Sequence, residues 1–487
     1  MFQKLTARRL FEILFVLALF TMAVRETLDP DMWWHLRTGE IILQDGIPRQ
    51  DIFSFTVPDH EWITHEWLSQ VFLWLIYQTS DFPGLILVFA AIIAIAFWLV
   101  YRRCDGRPYL AAFVVLLAAL ASAPLWGVRP QMFNILFTAL FVFLVEGFKE
   151  GSVSRRKLWL LPFLTLIWAN LHSGYLLGVV LLATYVVGES GQLLFQARVK
   201  RGLDWPSVGW LALMMLLSFL AAVANPNGPE LWIYPFFTLG SHAMQQYILE
   251  WQSPDFHLNF FWPFAALLLL GLTSLVASRR RPALTDVLLF AGTGAAGLLS
   301  VRHIPIFAVV ATPVIARYSL IALDGTPLYA IFSGRTDAKS SRVLKALNWV
   351  LLIILSLIAI TWVVTKVQGN GDAIAESFPV AAVDYLETSG LAEQRGYNSY
   401  NWGGYLIWRG IPVYVDGRAD VYGDDFLLYY RRTFDLTSRW RQPLDEYQVD
   451  YVIIEQSSPL SNLLATSDQW LESYTDDVAT IFTRVTE

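Results

Sequence analysis

The sequence predicts a polytopic, all-α membrane domain followed by a C-terminal mixed α/β domain outside the membrane. Only 16% of the 487 residues are charged and 55% are hydrophobic, whereas a soluble domain carries about 25% charged residues. Apolar runs of about 20 residues, long enough to cross a bilayer core of about 30 Å, recur along the chain. Residues 371–487 hold 19 acidic residues against 8 basic ones. This segment is therefore interpreted as a soluble acidic domain, which argues against a nucleic-acid partner.

The membrane domain, residues 1–369, contains eleven apolar runs that are predicted to be spans. They lie at about 8–25, 84–101, 108–128, 131–148, 158–170, 175–194, 207–225, 261–278, 284–300, 304–320 and 346–366. The run at 158–170 is short and is interpreted as a broken helix. Residues 26–83 form a long outer loop, in which Trp67 to Tyr77 holds too few apolar residues to span and is predicted to lie at the interface. The first run could instead be a cleaved signal peptide, but no A-x-A motif closes it.

Lys and Arg residues cluster in alternate connections between these runs, which predicts that those connections face the cytoplasm. The clusters are Lys4, Arg8 and Arg9; Arg102, Arg103 and Arg107; Lys149, Arg155, Arg156 and Lys157; Arg198, Lys200 and Arg201; Arg279, Arg280 and Arg281; and Arg317, Arg335, Lys339, Arg342 and Lys345. The first cluster places the N-terminus in the cytoplasm, and eleven spans then place the C-terminal domain, residues 370–487, outside. The single cysteine, Cys104, excludes an intrachain disulfide.

Two carboxylates one residue apart, Asp29 and Asp31, open the first outer loop. Such a pair can hold a divalent metal or serve as a general base. The same residues suit an ordinary helix start, with Asp29 as N-cap and Pro30 at the first helical position. Trp33 and Trp34, which follow, are more typical of interfacial anchors than of platforms for a sugar.

Histidines are the second candidate group, and all seven fall in predicted outer connections. His35 follows the two tryptophans, and His65 precedes Glu66 later in the same loop. A zinc protease would need two histidines at i and i+4 on one helix, with Glu between them, and this spacing is absent. His65 and Glu66 suit acid/base work or contact with a phosphate; alternatively, they cap the interfacial helix.

Other polar residues in the outer connections are candidates for binding a phosphate. Asn170 and His172 lie at a break between two runs, where they either donate to a ligand or satisfy the broken backbone. Glu250 is either a second catalytic carboxylate or an ordinary solvated side chain. Arg302, followed by His303, opens a run on the outer side, where its fork of donors suits a phosphate, a lipid headgroup or an ion pair.

The C-terminal domain is predicted to contain strands at 412–415, 451–454 and 478–482, with turns at 401–405 and 416–420. Asp416, Asp420, Asp424 and Asp425 do not match a calcium-loop spacing and are interpreted as a solvated acidic rim. Trp402, Tyr405 and Trp408 are expected to pack in the core. The span centres hold almost no ionisable groups, which argues against an ion-driven transporter.

Several of these segments together resemble bacterial proteins of the GT-C superfamily, which includes oligosaccharyltransferase catalytic subunits, protein O-mannosyltransferases and aminoarabinose transferases. The segments are Asp31-Met32-Trp33-Trp34-His35-Leu36, His65-Glu66-Trp67-Leu68, Trp168-Ala169-Asn170-Leu171-His172, Asn225-Pro226-Asn227-Gly228, Glu250-Trp251, Trp402-Gly403-Gly404-Tyr405 and Asp416-Gly417-Arg418. The resemblance implies a bacterial plasma-membrane enzyme that transfers a sugar, with inversion, from a polyprenyl phosphate or pyrophosphate to a glycan, lipid or protein acceptor.

The resemblance also implies roles for individual residues. Asp31 or Asp29 would be the catalytic base or the ligand of Mg²⁺ or Mn²⁺. Other members often carry an acidic residue in the second outer connection, where this chain has Arg129, so Glu66 or Glu250 would supply the missing carboxylate. The expected substrate-binding residues are His35, His65, Arg129, Asn170, His172, Arg302 and His303. The alternative is a non-enzymatic transporter of lipid-linked saccharides or an envelope-assembly scaffold, and the carboxylates and histidines of the first outer loop favour the enzyme.

Overall fold

The computed structural model describes residues 5–195, 202–332 and 341–485. Several of the basic residues used above for orientation lie outside the described residues: Lys4, Arg198, Lys200, Arg201, Arg335 and Lys339. The N-terminal part is helical. Its helices are α1 (Ala7–Ala23), α2 (Pro30–Asp45), α3 (Trp67–Arg103), α4 (Tyr109–Ser122), α5 (Gln131–Lys149), α6 (Leu160–Leu171), α7 (Leu176–Leu194), α8 (Trp205–Ala221), α9 (Tyr234–Gly240), α10 (His242–Tyr247), α11 (Trp262–Ala277), α12 (Leu284–Leu299), α13 (Ile304–Ala322), α14 (Pro327–Phe332) and α15 (Arg342–Gln368).

Each of the eleven apolar runs coincides with one of these helices. Within the described part of the chain, six helical segments are long and apolar enough to cross a membrane. They are Trp67–Arg103, Gln131–Lys149, Ser173–Leu194, Asn259–Ala277, Val301–Ala322 and Val343–Gln368. Three shorter apolar helices accompany them, so the total of eleven spans stays a prediction.

Helix α3 joins the stretch predicted to lie at the interface to the following span in one helix of 37 residues. The two halves meet at a kink, where Asp81 has a φ of 51° and Pro83 lies inside the helix. Proline cannot donate the backbone hydrogen bond that a continuous helix needs, which explains a break at this point. The kink lets the first half turn away from the span and carry Glu66 and its neighbours at its N-terminus.

The C-terminal part combines short helices with a four-stranded sheet. Its elements are α16 (Asn370–Ser377), α17 (Val380–Ser389), β1 (Gly396–Asn398), α18 (Gly403–Trp408), α19 (Ala419–Phe434), α20 (Gln442–Glu446), β2 (Tyr451–Glu455), α21 (Pro459–Leu464), β3 (Trp470–Thr475) and β4 (Ala479–Arg484). The strand order is β1-β2-β4-β3, with β1 parallel to β2 and the other pairs antiparallel. Strands β2 and β4 confirm two of the three predicted strands.

The other predictions for this part need correction. Residues 412–415 are not a strand of the sheet, because Val413 instead exchanges backbone hydrogen bonds with Phe53 and Phe55 of the first outer loop, at 3.1 and 3.2 Å. Of the turn predicted at 401–405, residues 401 and 402 lie in a short 3-10 turn, and α18 begins at Gly403. A Cβ on Gly404 would lie only 2.4 Å from the carbonyl oxygen of Pro30, so glycine allows α18 to pack closely on α2.

The prediction of a solvated acidic rim at residues 416–425 is also wrong, because its four aspartates do not form one solvated group. Asp416 is fully buried and accepts hydrogen bonds from Arg418, whose guanidinium also lies 2.7 Å from Asp51 of the first outer loop. Asp420 accepts a hydrogen bond from Tyr234, and Asp424 accepts one from Ser241. Asp420 and Asp425 are exposed, as predicted, although Asp420 is also held by Tyr234.

Trp33 and Trp34 are not interfacial anchors, because both are buried between the N-terminal helices and the C-terminal part of the chain. The indole of Trp33 makes edge contacts with Phe82, Phe378 and Tyr405, at centroid distances of 5.0 to 5.8 Å. The aromatic rings therefore fix α2 between α3 and α18, and this position determines where Asp29 and Asp31 point.

Candidate active site

The start of α2 holds Asp29 in two interactions at once. Its Oδ1 accepts a hydrogen bond from the backbone N–H of Asp31 at 3.0 Å, as an N-cap does, and Pro30 occupies the first turn. Its Oδ2 accepts from Nη1 of Arg129 at 3.2 Å. The helix-capping interpretation is confirmed, and the same carboxylate also belongs to a charged cluster.

Arg129 is the centre of that cluster. Its Nη1 and Nη2 donate to the two carboxylate oxygens of Glu250 at 2.6 and 3.0 Å, and its Nε donates to Gln131 at 2.6 Å. Nη2 lies 3.9 Å from Oδ2 of Asp31. The structure thus brings together Asp29, Asp31, Arg129 and Glu250 from three segments that are far apart in the sequence.

Asp31 differs from Asp29 and Glu250 in having a carboxylate oxygen that accepts no hydrogen bond from a described residue. Its Oδ1 accepts a hydrogen bond from the indole N–H of Trp34 at 3.1 Å, whereas no described residue donates a hydrogen bond to Oδ2. The side chain is 26% exposed, so an incoming group can reach it. Desolvation and the nearby charge of Asp29 raise the pKa of Asp31 to about 7, against the opposing effect of Arg129. A carboxyl group with that pKa can take up a proton near neutral pH.

Glu66 lies in a second cluster with three histidines. Its carboxylate oxygens are 3.2 Å from Nε2 of His172, 3.4 Å from Nε2 of His65 and 3.7 Å from Nε2 of His35. All four side chains have little exposure, between 3% and 13%. Burial alone would raise the pKa of Glu66, but the histidines, His65 foremost, hold it well below its ordinary value.

The hydrogen bonds of the two histidines nearest Glu66 define their protonation. Nδ1 of His172 accepts a hydrogen bond from the backbone N–H of Gly174 at 2.8 Å, so a neutral ring carries its proton on Nε2, facing Glu66. Burial lowers the pKa of His172 to about 3. His65 instead faces the carbonyl of Ile63 with Nδ1 and Glu66 with Nε2, and this carboxylate raises its pKa despite burial. His65 is therefore the histidine of this pair whose surroundings favour the protonated form.

The remaining predicted residues divide into two groups. The side-chain amide of Asn170 donates to the carbonyls of Leu166 and Ala224 and accepts a hydrogen bond from Trp67. Asn170 therefore satisfies the broken backbone, which was one of its two predicted roles. Arg302 instead stacks its guanidinium over Trp251 at 4.7 Å and forms no ion pair within the described ranges. His303 is half-buried beside it.

A cavity of about 550 Å³ leads to the Arg129 cluster from the side of α1 and α15. Asp29, Arg129 and Glu250 line this cavity together with Arg25, Trp126, Trp362 and Lys366, whereas Asp31 is not among its lining residues. Trp362 belongs to α15 and is 46% exposed, as are many apolar side chains of this helix. The cavity therefore connects the carboxylates to a helix whose outer face suits contact with lipid.

Two contributors to the site were not predicted from the sequence. The hydrogen bond from Trp34 to Asp31 has a local signal, since residues three apart lie on the same face of a helix. Gly417 of the C-terminal domain lies so close that a Cβ there would be 2.0 Å from Oδ1 of Asp31. No local pattern could have revealed this contact, because Gly417 is almost 400 residues away in the sequence.

Comparisons with known proteins define the fold. No family model matches the sequence, and no curated protein matches it. The archaeal oligosaccharyltransferase AglB from Archaeoglobus fulgidus, solved with an inhibitory peptide and a dolichol-phosphate, matches at a TM-score of 0.53 over 91% of this chain and 69% of its own, with 10% identity. This chain shares its fold with that oligosaccharyltransferase.

Two further structures match the chain. An oligosaccharyltransferase of Archaeoglobus fulgidus tethered to an acceptor peptide with an NVT sequon matches at a TM-score of 0.51, with 12% identity and the same coverage of both chains. ArnT from Cupriavidus metallidurans, bound to undecaprenyl phosphate, aligns over 97% of both chains with 13% identity and a TM-score of 0.48. The resemblance seen in the sequence motifs is confirmed for the fold, and function has to be argued from the site.

Proposed function

We propose that this protein is a membrane glycosyltransferase that moves a sugar from a polyprenyl-phosphate or pyrophosphate donor to an acceptor outside the cytoplasm. The observation that carries the proposal is Oδ2 of Asp31, which accepts no hydrogen bond from a described residue. It lies beside a charged cluster whose Asp29, Arg129 and Glu250 line a cavity that reaches α15. The fold supports the same class of reaction, since AglB was solved with a dolichol-phosphate.

In the proposed reaction, Oδ2 of Asp31 accepts the proton of an O–H or N–H group on the acceptor while that oxygen or nitrogen attacks the anomeric carbon of the sugar. The bond from the anomeric carbon to the phosphate oxygen breaks, and the phosphate oxygen keeps the electron pair. Attack from the face opposite the leaving phosphate inverts the anomeric configuration. A pKa of about 7 suits Asp31 to this role near neutral pH.

Arg302 is the proposed binding residue for the leaving phosphate. A guanidinium group offers several donors in a fixed plane, which match phosphate oxygens well. Because Arg302 is stacked on Trp251 and is in no ion pair with a described residue, its donors are available to a ligand. Trp251 directly follows Glu250, so the bound phosphate would lie next to the Arg129 cluster.

The experiment compares Asp31→Asn with Asp29→Asn in proteoliposomes, using a panel of polyprenyl-phosphate sugars and measuring the released polyprenyl phosphate. Asp31→Asn should lower the transfer rate by about two or more orders of magnitude, the usual scale for a positioned acid or base. Asp29→Asn should keep most of the activity, because asparagine is also a good N-cap. Wild-type transfer by Asp31→Asn would contradict the proposal and make Glu66 and Glu250 the next candidates.

A further inference from the structure

Three carboxylates converge on one guanidinium group at the candidate site. Arg129 contacts Glu250 through two hydrogen bonds of 2.6 and 3.0 Å, Asp29 through one of 3.2 Å, and Asp31 at 3.9 Å. Its side chain is only 12% exposed. The mutual attraction raises the pKa of Arg129 well above its ordinary value, so the group stays charged.

The residues present do not fit the divalent metal that the sequence resemblance implied for Asp29 and Asp31. Both oxygens of Glu250 and both oxygens of Asp29 are already occupied by hydrogen bonds. Among the carboxylate oxygens of Asp29, Asp31 and Glu250, Oδ2 of Asp31 alone accepts no hydrogen bond from a described residue. Mg²⁺ requires several oxygen ligands at about 2.0–2.1 Å. In the part of the chain that the structure describes, no group of three or more His, Cys, Asp or Glu side chains is arranged to hold a metal ion.

We infer that Arg129 takes the place of a divalent cation in this site. Its guanidinium holds Asp29, Asp31 and Glu250 together. The site therefore acquires a metal requirement only when Arg129 is removed. This inference deepens the proposed function, and its consequence for sugar transfer rests on that function. Arg129 is thus a positioning residue: it keeps Asp31 near the cavity without coordinating the reacting atoms itself.

The physical reason is the charge balance of the cluster. Three carboxylates in a partly buried space repel one another, and a positive charge at their centre offsets that repulsion. A guanidinium fixes their geometry through planar, paired hydrogen bonds. Without it, the same three carboxylates offer hard oxygen ligands around one empty space, which is the ligand type that Mg²⁺, Ca²⁺ and Mn²⁺ prefer.

The experiment measures Mn²⁺ binding to the purified full chain by electron paramagnetic resonance, without any lipid or sugar. Arg129→Ala should bind Mn²⁺ at least about tenfold more tightly than the wild type, equivalent to about 1.4 kcal/mol. Arg129→Lys, which keeps the charge, should bind like the wild type. Adding Glu250→Gln to Arg129→Ala should abolish the gain, which would place the bound ion among these carboxylates.

Equal Mn²⁺ affinity of Arg129→Ala and the wild type would overturn the inference. So would Mn²⁺ binding by the wild type that is lost in the single variant Glu250→Gln, because the ion would then share the site with Arg129. If Arg129→Ala does not fold, Arg129→Gln serves in its place, because it keeps a polar side chain and removes the charge. In proteoliposomes, wild-type transfer should be unchanged by EDTA, and transfer by Arg129→Ala should rise on addition of Mn²⁺. Since the binding measurement needs no substrate, a gain of Mn²⁺ affinity without any detectable transfer would separate failure of the proposed function from failure of this inference.

Discussion

Asp31 is the residue on which the proposed chemistry depends, and its surroundings set when it can act. Desolvation is the largest influence on its pKa and raises it, Arg129 lowers it, and Asp29 raises it again, with a result of about 7. The hydrogen bond from Trp34 acts in the lowering direction. Since a base must be deprotonated to accept a proton, the active form of Asp31 increases as the pH rises through about 7.

The dependence of kcat/KM on pH tests this assignment directly. For the wild type, kcat/KM should rise with pH below about 7 and level off above it, because kcat/KM reports the ionisation of the free enzyme. Asp29→Asn removes a neighbouring negative charge and should move this rise to lower pH. Trp34→Phe removes a hydrogen bond to the charged carboxylate and should move it to higher pH. Shifts in the same direction for both variants, or none, would show that a different group is titrating.

At the scale of secondary-structure elements, the sequence predicts most helices but few of the contacts between them. The apolar runs gave the positions of the membrane helices, and the Asp-Pro pair gave the start of α2, because both signals are local. The pairing of residues 412–415 with the first outer loop was missed, since a short β-branched stretch has the same local pattern whichever partner it finds. For the same reason Glu250 and Arg129 were candidates individually, while their ion pair could be seen only in the structure.

The contact between α2 and the C-terminal domain gives a prediction at this scale. In Gly417→Ala, the new Cβ would lie 2.0 Å from Oδ1 of Asp31 and 3.4 Å from Nε1 of Trp34, so the carboxylate must move. A displacement of about 1 Å can cost about a hundredfold in rate, and we expect transfer to fall by about that factor while the protein still inserts and folds. Activity is measured in proteoliposomes, and folding by thermal unfolding in detergent.

Gly371→Ala is the matched control for Gly417→Ala. Gly371 also lies in the C-terminal domain, within α16, but a Cβ there would meet nothing within 4 Å. Alanine is favoured over glycine in a helix by about 0.5–1 kcal/mol, so this variant should be as active as the wild type and no less stable. Equal activity of the two variants would mean that Asp31 does not depend on its contact with Gly417.

At the scale of the whole molecule, buried charges gather at two opposite ends of the membrane helices. One group is the Arg129 cluster. The other joins Arg317 to Glu146 and Asp286 at 2.6 and 2.9 Å, and Lys149 to Glu189 at 2.8 Å. Because every one of these charges has an oppositely charged partner, the second group is suited to fixing α5, α7, α12 and α13 together. It lies beside the connections that the distribution of Lys and Arg predicts to be cytoplasmic.

The orientation of the chain can be tested with single cysteines and an impermeant thiol reagent applied to intact spheroplasts. Cys104 is only 1% exposed, so its own failure to react would carry no information, and a Cys104→Ala background is required. Gln50 and Asp468 are exposed in the first outer loop and the C-terminal domain, while Arg280 is exposed between α11 and α12. Gln50→Cys and Asp468→Cys should react in intact spheroplasts, and Arg280→Cys should react only after permeabilisation. Labelling of Arg280→Cys but not Asp468→Cys would show that the orientation is the reverse of the predicted one. The Arg129 cluster would then face the cytoplasm, where the proposed transfer to an outer acceptor could not occur.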